Sequence, residues 1–494
     1  MPRIAALLLA RRRAFGMRKA ANVLVALSLV LWPLRVCAAA AADVPAESWF
    51  SIYAGSTRIG VSHVWTQPDV HDGRTAVLTN SDTTTSLVAF GTTVEQKVTG
   101  RMWSDPMTGI PVYETLAIKS GGSSTDVAAR YYTDRIDATL TSGGSVTHKT
   151  IPIPSGVSLS SSDIEHGVLS EQPLARGQVF SETSFDPLAM RIETYTVTVT
   201  DVGKSLNDPV LGQLKDLAVC RADGPSGTLT IYLDHQGQPL RIDLQAGISM
   251  CRERSEPHDA AGIGNGYSPP TDFAVATSVN QTGALIDKPR DCHYLKVQLT
   301  TPDNQSRTVE VHTVFAGTMF DTTDSVRSDA NMAPYLADAP YLSLDDPDLK
   351  GRAAALGGTT TNLYDLVVRT HDWVYQNMQS TATLGLPRSA ASVLQDRRGV
   401  CRDYAILYTA LARAEGIPTR VCAGLVAFGD RFYYHAWAES YVGGSAGWLP
   451  VDPTLETRTV DATHVVITRG GPDAIFDVAP QIGRLRARIL EASY

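Results

Sequence analysis

The chain has 494 residues, of which 43% are hydrophobic and 19% charged; at roughly 100 to 200 residues per domain this leaves room for about three folded units. Such a composition excludes disordered, collagen-like and coiled-coil chains. The net charge is −8; residues 1–42 hold seven bases and no acid, so the rest carries 36 bases against 51 acids. That balance disfavours nucleic acid and anionic lipid surfaces as partners.

The first predicted element is a leader. Bases precede an apolar run from Val23 to Leu34, and small residues from Ala38 to Ala42 precede Asp43. This is the layout of a secretory signal peptide over residues 1–42, cleaved near Ala40 to Ala42, which implies a periplasmic or secreted protein of bacterial type. The apolar run is too short for a permanent span, and no later segment has 18 uninterrupted apolar residues, so no stable membrane anchor is expected after cleavage. Met17-Arg18-Lys19 directly before the apolar run marks an alternative start. Arg12-Arg13 matches a twin-arginine box only as Arg-rich leaders do by chance. The bulky, charged Leu34-Arg35-Val36 before Cys37 argues against lipidation.

Short alternating runs broken by Gly, Asp, Asn and Pro turns extend from Trp49 to Cys251 and predict an antiparallel β-rich domain over residues 43–255. Its clearest hairpin joins Thr228–Asp234 to Leu240–Leu244 across His235-Gln-Gly-Gln. Arg252 to Pro270 is polar, Gly/Pro-rich and aperiodic, a linker. Its Gly262-Ile-Gly264-Asn-Gly266 lacks the strand and helix of a phosphate-binding loop. Strand-like residues return at Tyr294–Thr300 and Thr308–Phe315, so 256–320 reads as linker with further strands and 321–494 as the last domain. There Leu363, Leu366, Val367, Thr370, Trp373, Val374 and Met378 recur at helical spacing with Thr361 as N-cap, and Ser389 caps a helix over Ala390–Asp396. The fold class is α+β.

Five cysteines follow the leader: Cys220, Cys251, Cys292, Cys401 and Cys422. An odd set in an exported chain leaves at least one thiol unbridged, and no Cys-x-x-Cys pair suggests structural zinc. Cys401 opens a helix bounded by Gly399 and by Gly416-Ile-Pro418. A first-turn thiol meets unpaired backbone N–H groups and the positive end of the dipole, which favour a thiolate. From Phe432 to Tyr441 the chain alternates as a strand, with His435 on the face of Trp437 and Glu439, and with small Ala436 and Ala438 opposite, where a helix can pack closely. Asp452 ends the next strand, in Gly447-Trp-Leu-Pro-Val-Asp-Pro-Thr454. Taken singly, each of the three is more often structural. Together, a thiol at a helix start, an imidazole and a carboxylate, in the order Cys, His, Asp, suit covalent acyl transfer. Gln395 lies six residues before Cys401 on the preceding helix and reads as a surface residue, Asp403 as a first-turn helix stabiliser, and Trp437 and Trp448 as core aromatics.

Gly399-Val-Cys401-Arg-Asp-Tyr-Ala, Gly416-Ile-Pro-Thr-Arg420, His435-Ala-Trp-Ala-Glu439 and Gly447-Trp-Leu-Pro-Val-Asp-Pro-Thr454 resemble the core motifs of the transglutaminase-like superfamily, a papain-related cysteine fold, from about Tyr364 to Thr454. The resemblance implies Cys401 as nucleophile, His435 as base and acid and Asp452 as orienting carboxylate. It also implies a protein or peptide amide substrate, and no metal or organic cofactor. The β-rich first half resembles the accessory domain ahead of such cores in exported bacterial proteins. Hydrolysis of peptide or isopeptide bonds is the expected reaction; glutamine transamidation and a catalytically weak envelope-binding module are the alternatives.

Overall fold

The computed structural model describes residues 47–494 except 90, 121–122, 160–173, 209, 258–271, 302–303 and 382–386. The leader, with Met17 and Cys37, and the Gly262–Gly266 loop lie outside the described residues.

Fourteen antiparallel strands, from Glu47–Ala54 to Ile248–Glu253, form one sheet. Eight run outward in chain order from the first and six from the last. The two runs are joined where Glu47–Ala54 pairs with Ile248–Glu253, Ser51 opposite Cys251. The alternation that predicts these strands is what buries them: in Arg135–Ser142, Ile136, Ala138 and Leu140 point inward and the residues between them outward. The expected hairpin forms between Gly227–Leu233 and Pro239–Asp243. The sheet curls until its two ends approach. Lys149 Nζ, on one edge strand, donates to the Met190 carbonyl beside the other (3.0 Å), and the Tyr131 and Phe185 rings meet edge to face. With 52% strand and 19% helix overall, α+β describes the C-terminal part and the whole chain only roughly.

Among its described residues the C-terminal part packs four α-helices of seven residues or more, α1 (Pro347–Gly357), α2 (Leu363–Asn377), α3 (Ala390–Asp396) and α4 (Cys401–Glu415), beside a sheet carrying β1 (Thr419–Phe428), β2 (Arg431–Gly443), β3 (Gly447–Val451) and β4 (Val465–Gly470). In that sheet β2 lies between β1 and Val279–Gly283, β4 borders β1, and β3 pairs with β2. Tyr294–Thr300 and Ser306–His312 extend it through the last strand, Arg486–Ser493. The segment read as linker with further strands thus supplies three strands to the C-terminal sheet, Val279–Gly283 among them.

Helix α4 is buried along its whole length to Arg413, as a central helix covered on every side must be. Arg413, near its end, donates from Nε to the Thr419 carbonyl (2.9 Å) and from Nη1 to that of Ala337 (2.6 Å). Gly416 ends the helix at φ 90°, the left-handed region. The N-cap of α2 is Asn362, one residue beyond the predicted Thr361; Asn362 Oδ1 accepts from Asp365 N (3.0 Å). Both can cap by type, and chain geometry decides, since the Thr361 carbonyl is taken by Thr323 N. Ser389 caps α3 as expected, accepting from Ser392 N.

The two parts share a packed junction. Tyr341 donates its hydroxyl to the Leu188 carbonyl (3.0 Å), Arg191 Nη1 reaches Asp477 (2.9 Å), and Ser389 Oγ donates to the Ser142 carbonyl (2.9 Å).

Candidate active site

Cys401 is the first residue of α4 and is 2% exposed; with Ala405 and Ala436 it forms a small buried cluster of its own. The small face of β2 thus receives the helix start. Asp403, in the first turn, accepts the Val400 N–H on Oδ2 (2.9 Å) and pins the residue before the nucleophile candidate. Gly399 leaves room for that carboxylate, because a Cβ there would lie 2.5 Å from the Asp403 side chain.

The β2–β3 hairpin brings the other two residues together. Ala438 pairs with Val451, and Asp452, just past β3, accepts from His435 Nε2 on Oδ2 at 2.9 Å. His435 is 5% and Asp452 1% exposed. Burial works against charge on His435, but the Asp452 carboxylate, the Cys401 sulfur and hydrogen bonds to both outweigh it and raise its pKa to about 10. Nδ1 of His435 is buried and has no nitrogen or oxygen partner; besides Asp452, the group acting on this ring is Cys401. Asp452 is held well below the usual carboxylate range, against burial, by His435 and by a second imidazole.

That second imidazole, His464, was not singled out by sequence reasoning. It lies on the loop before β4 and places Nε2 3.2 Å from Asp452 Oδ2. Oδ1 of the same carboxylate accepts the Thr454 N–H (2.9 Å) and hydroxyl (2.7 Å). His435, Asp452 and His464 are ligand types for a metal, with donor atoms within 4.8 Å of one another. Each imidazole points its inward nitrogen at Asp452 Oδ2 within hydrogen-bond distance, the geometry of two N–H donors on one carboxylate oxygen. The only advance signal for His464 is its place in Asp461-Ala-Thr-His464, shortly after the Asp-Pro-Thr turn.

The remaining residues have structural settings. Trp437 is buried between His435 (ring centroids 6.1 Å) and His464 (5.2 Å). Arg420 lies over the Trp448 ring (4.1 Å) and shares the Glu439 carboxylate with Arg469. Gln395 is exposed and lines a cleft of about 690 Å³ between the Gly143–His148 hairpin and the Asp338–Asp348 segment. No disulfide joins the five described cysteines. Burial pushes Cys220 up to about 11 and Cys251 to about 12, and raises Cys422 well above its ordinary value; all three are inert thiols at neutral pH.

Residues 350–453 match the family model described as Transglutaminase-like superfamily. These residues form a transglutaminase-like core. An uncharacterized protein of Mycobacterium tuberculosis is 34% identical over 134 residues, covering 24% of this chain and 40% of that protein. One of Mycobacterium leprae is 30% identical over 144 residues, covering 27% and 50%. The chain thus spans half or less of the length of these curated relatives. Among solved structures, a candidate cysteine protease from Cytophaga hutchinsonii aligns at 21% identity over 44% of this chain and 88% of that one, with a TM-score of 0.32. The periplasmic domain of TgpA from Pseudomonas aeruginosa, bound to ethylmercury, aligns at 13% identity over 57% and 87%, with a TM-score of 0.24. The transglutaminase-like core contains Cys401, His435 and Asp452 but ends before His464. Among the described residues no helix is long and apolar enough to cross a membrane.

Proposed function

We propose that the chain is an exported cysteine-dependent acyl-transfer enzyme that hydrolyses peptide or isopeptide amides through Cys401, His435 and Asp452. The observation that carries this reading is the His435 ring, hydrogen-bonded to Asp452 at 2.9 Å and acted on by the sulfur of Cys401 at a helix N-terminus. The Cys401 thiolate attacks the amide carbonyl carbon, and the carbonyl electrons move onto oxygen. Backbone N–H groups at the start of α4, which lack intrahelical partners, face the oxyanion. Collapse expels the amine, which takes its proton from His435, and leaves a thioester on Cys401. Water, deprotonated by His435, then attacks the thioester, releasing the acid and the thiolate. An amine in place of water would make the same site a transamidase. Export rests on the leader layout of residues 1–42.

The test is purified protein with casein and an amine-bearing fluorophore. Casein fragments, abolished in Cys401→Ala, are the expected result. Fluorophore incorporation would assign transamidation. If neither appears and wild type matches Cys401→Ala, the chain is a binding module.

A further inference from the structure

His464 is 4% exposed, and both its ring nitrogens face acceptors. Nε2 is 3.2 Å from Asp452 Oδ2, and Nδ1 is 3.2 Å from the backbone carbonyl oxygen of Asp461. A backbone carbonyl cannot donate, nor can an ionised carboxylate. Both nitrogens must then carry protons, and an imidazole with two N–H groups is a cation. We propose that His464 is a standing imidazolium that holds Asp452 in place and sets the pH range over which the Cys401–His435 pair is competent.

The charges around it fit this assignment. Asp452 and Asp461 bring two negative charges. Arg290, with Nη1 2.7 Å from Asp461 Oδ2, supplies one positive charge, and His464 supplies the other. The remaining titratable neighbours are His435, whose ring centroid is 5.7 Å away, Cys401 beyond it, Cys292 near Asp461 and Tyr404 near Asp452; burial raises Cys292 and Tyr404, which stay neutral at pH 7. Trp437 meets the His464 ring edge to face and adds no charge. With His464 charged, Asp452 keeps a counter-charge when His435 gives up its proton, so the buried carboxylate is not left uncompensated at that step. Electrostatics agree: burial opposes charge on His464, yet Asp461 and Asp452 raise its pKa, while His464 and Arg290 hold Asp461 down at about 2 against burial.

A positive charge lowers the proton affinity of every group near it. His464→Gln keeps an amide N–H for Asp452 but removes the charge. Both limbs of the kcat/KM profile, and the midpoint of Cys401 alkylation, should therefore move to higher pH. A unit charge 5.7 Å from His435, at an effective dielectric of about 20, is worth about one to two pH units. A residue that only packs would lower rate or stability and leave the midpoints in place.

The effect on turnover rests on the acyl-transfer reading, whereas the charge state does not. The experiment follows iodoacetamide labelling of the Cys401 peptide by mass spectrometry from pH 4 to 10, in full-length wild type and His464→Gln. It is paired with ¹⁵N-histidine NMR of wild type, the His464 signals identified by their loss in the variant or by a labelled proteolytic fragment. An upward shift of about one pH unit or more, with both His464 nitrogens protonated at pH 8, is expected. An unmoved midpoint in folded variant, or one unprotonated His464 nitrogen at pH 8, overturns the proposal. If His464→Gln does not fold, the wild-type spectrum decides alone. Wild-type Cys401 that labels only above pH 8.5 would count against the acyl-transfer reading while the nitrogen spectrum still settled His464.

Discussion

Asp452→Asn separates geometry from charge at the centre of the site. The carboxylate accepts four hydrogen bonds, two on Oδ1 from Thr454 and two on Oδ2 from the imidazoles, and asparagine offers one acceptor oxygen. With that oxygen toward the imidazoles, the Thr454 backbone N–H loses its partner, at about 1–3 kcal/mol. The opposite orientation strands two imidazole N–H groups. The first therefore prevails, so His435 keeps its position and loses its counter-charge. At 2.9 Å and an effective dielectric of about 20, that charge is worth about 6 kcal/mol, or about four pH units. His435, held at about 10 in the intact site, then becomes neutral near pH 7 and no longer holds the proton that the leaving amine needs. Steady-state peptide hydrolysis from pH 5 to 10 should show kcat/KM at pH 7.5 down about 10³- to 10⁴-fold, with KM little changed and the alkaline limb moved to lower pH. A loss below about tenfold in protein with a cooperative melt, or an alkaline limb that stays put, would refute the reasoning.

Glu415 ends α4 with Oε1 on Thr370 (3.0 Å) and Oε2 buried without a partner; burial lifts its pKa from 4.5 to about 8. A carboxyl whose pKa is higher folded than unfolded gives stability that is full below about pH 4.5 and lost as pH rises to about 8, a span of up to about 5 kcal/mol. Glu415→Gln should be more stable than wild type at pH 8.5 and similar at pH 4.5; parallel melting curves at both pH values would contradict this. Asp403→Ala strands the Val400 N–H and removes a carboxylate 3.7 Å from the buried Arg402, so it should cost about 3–5 kcal/mol by chemical denaturation, with Asp403→Asn losing less. Gly143 has φ 57°, and a Cβ there would lie 2.0 Å from Ser392 Oγ. Gly143→Val should loosen the junction and speed protease cleavage there, and an unchanged digestion pattern would count against a packed junction.

Much of the core was legible because its signals are local. Gly399, Cys401, Gly416 and Pro418 bracket α4, the alternation around His435 marks β2, and Asp452 closes β3, all within a stretch where neighbours in sequence are neighbours in space. The strands of the first half were legible one by one, but their union into a single sheet depends on Trp49 meeting Glu253, a pairing no local pattern encodes. The same holds for Tyr294–Thr300, which joins the C-terminal sheet only through Arg486–Ser493 at the far end of the chain. His464 was missed for a related reason. Its meaning comes from a loop folding back onto Asp452, and a histidine between Thr463 and Val465, the first residue of β4, carries no spacing of its own.

The central claim is that Cys401 carries the acyl group. Rapid-quench mass spectrometry of full-length protein with a peptide amide or activated ester measures this directly. The account predicts a transient mass increase equal to the acyl moiety on the Cys401 peptide, lost on hydroxylamine treatment and absent in His435→Ala. Turnover with no adduct at Cys401, or activity that survives in Cys401→Ala, would contradict it.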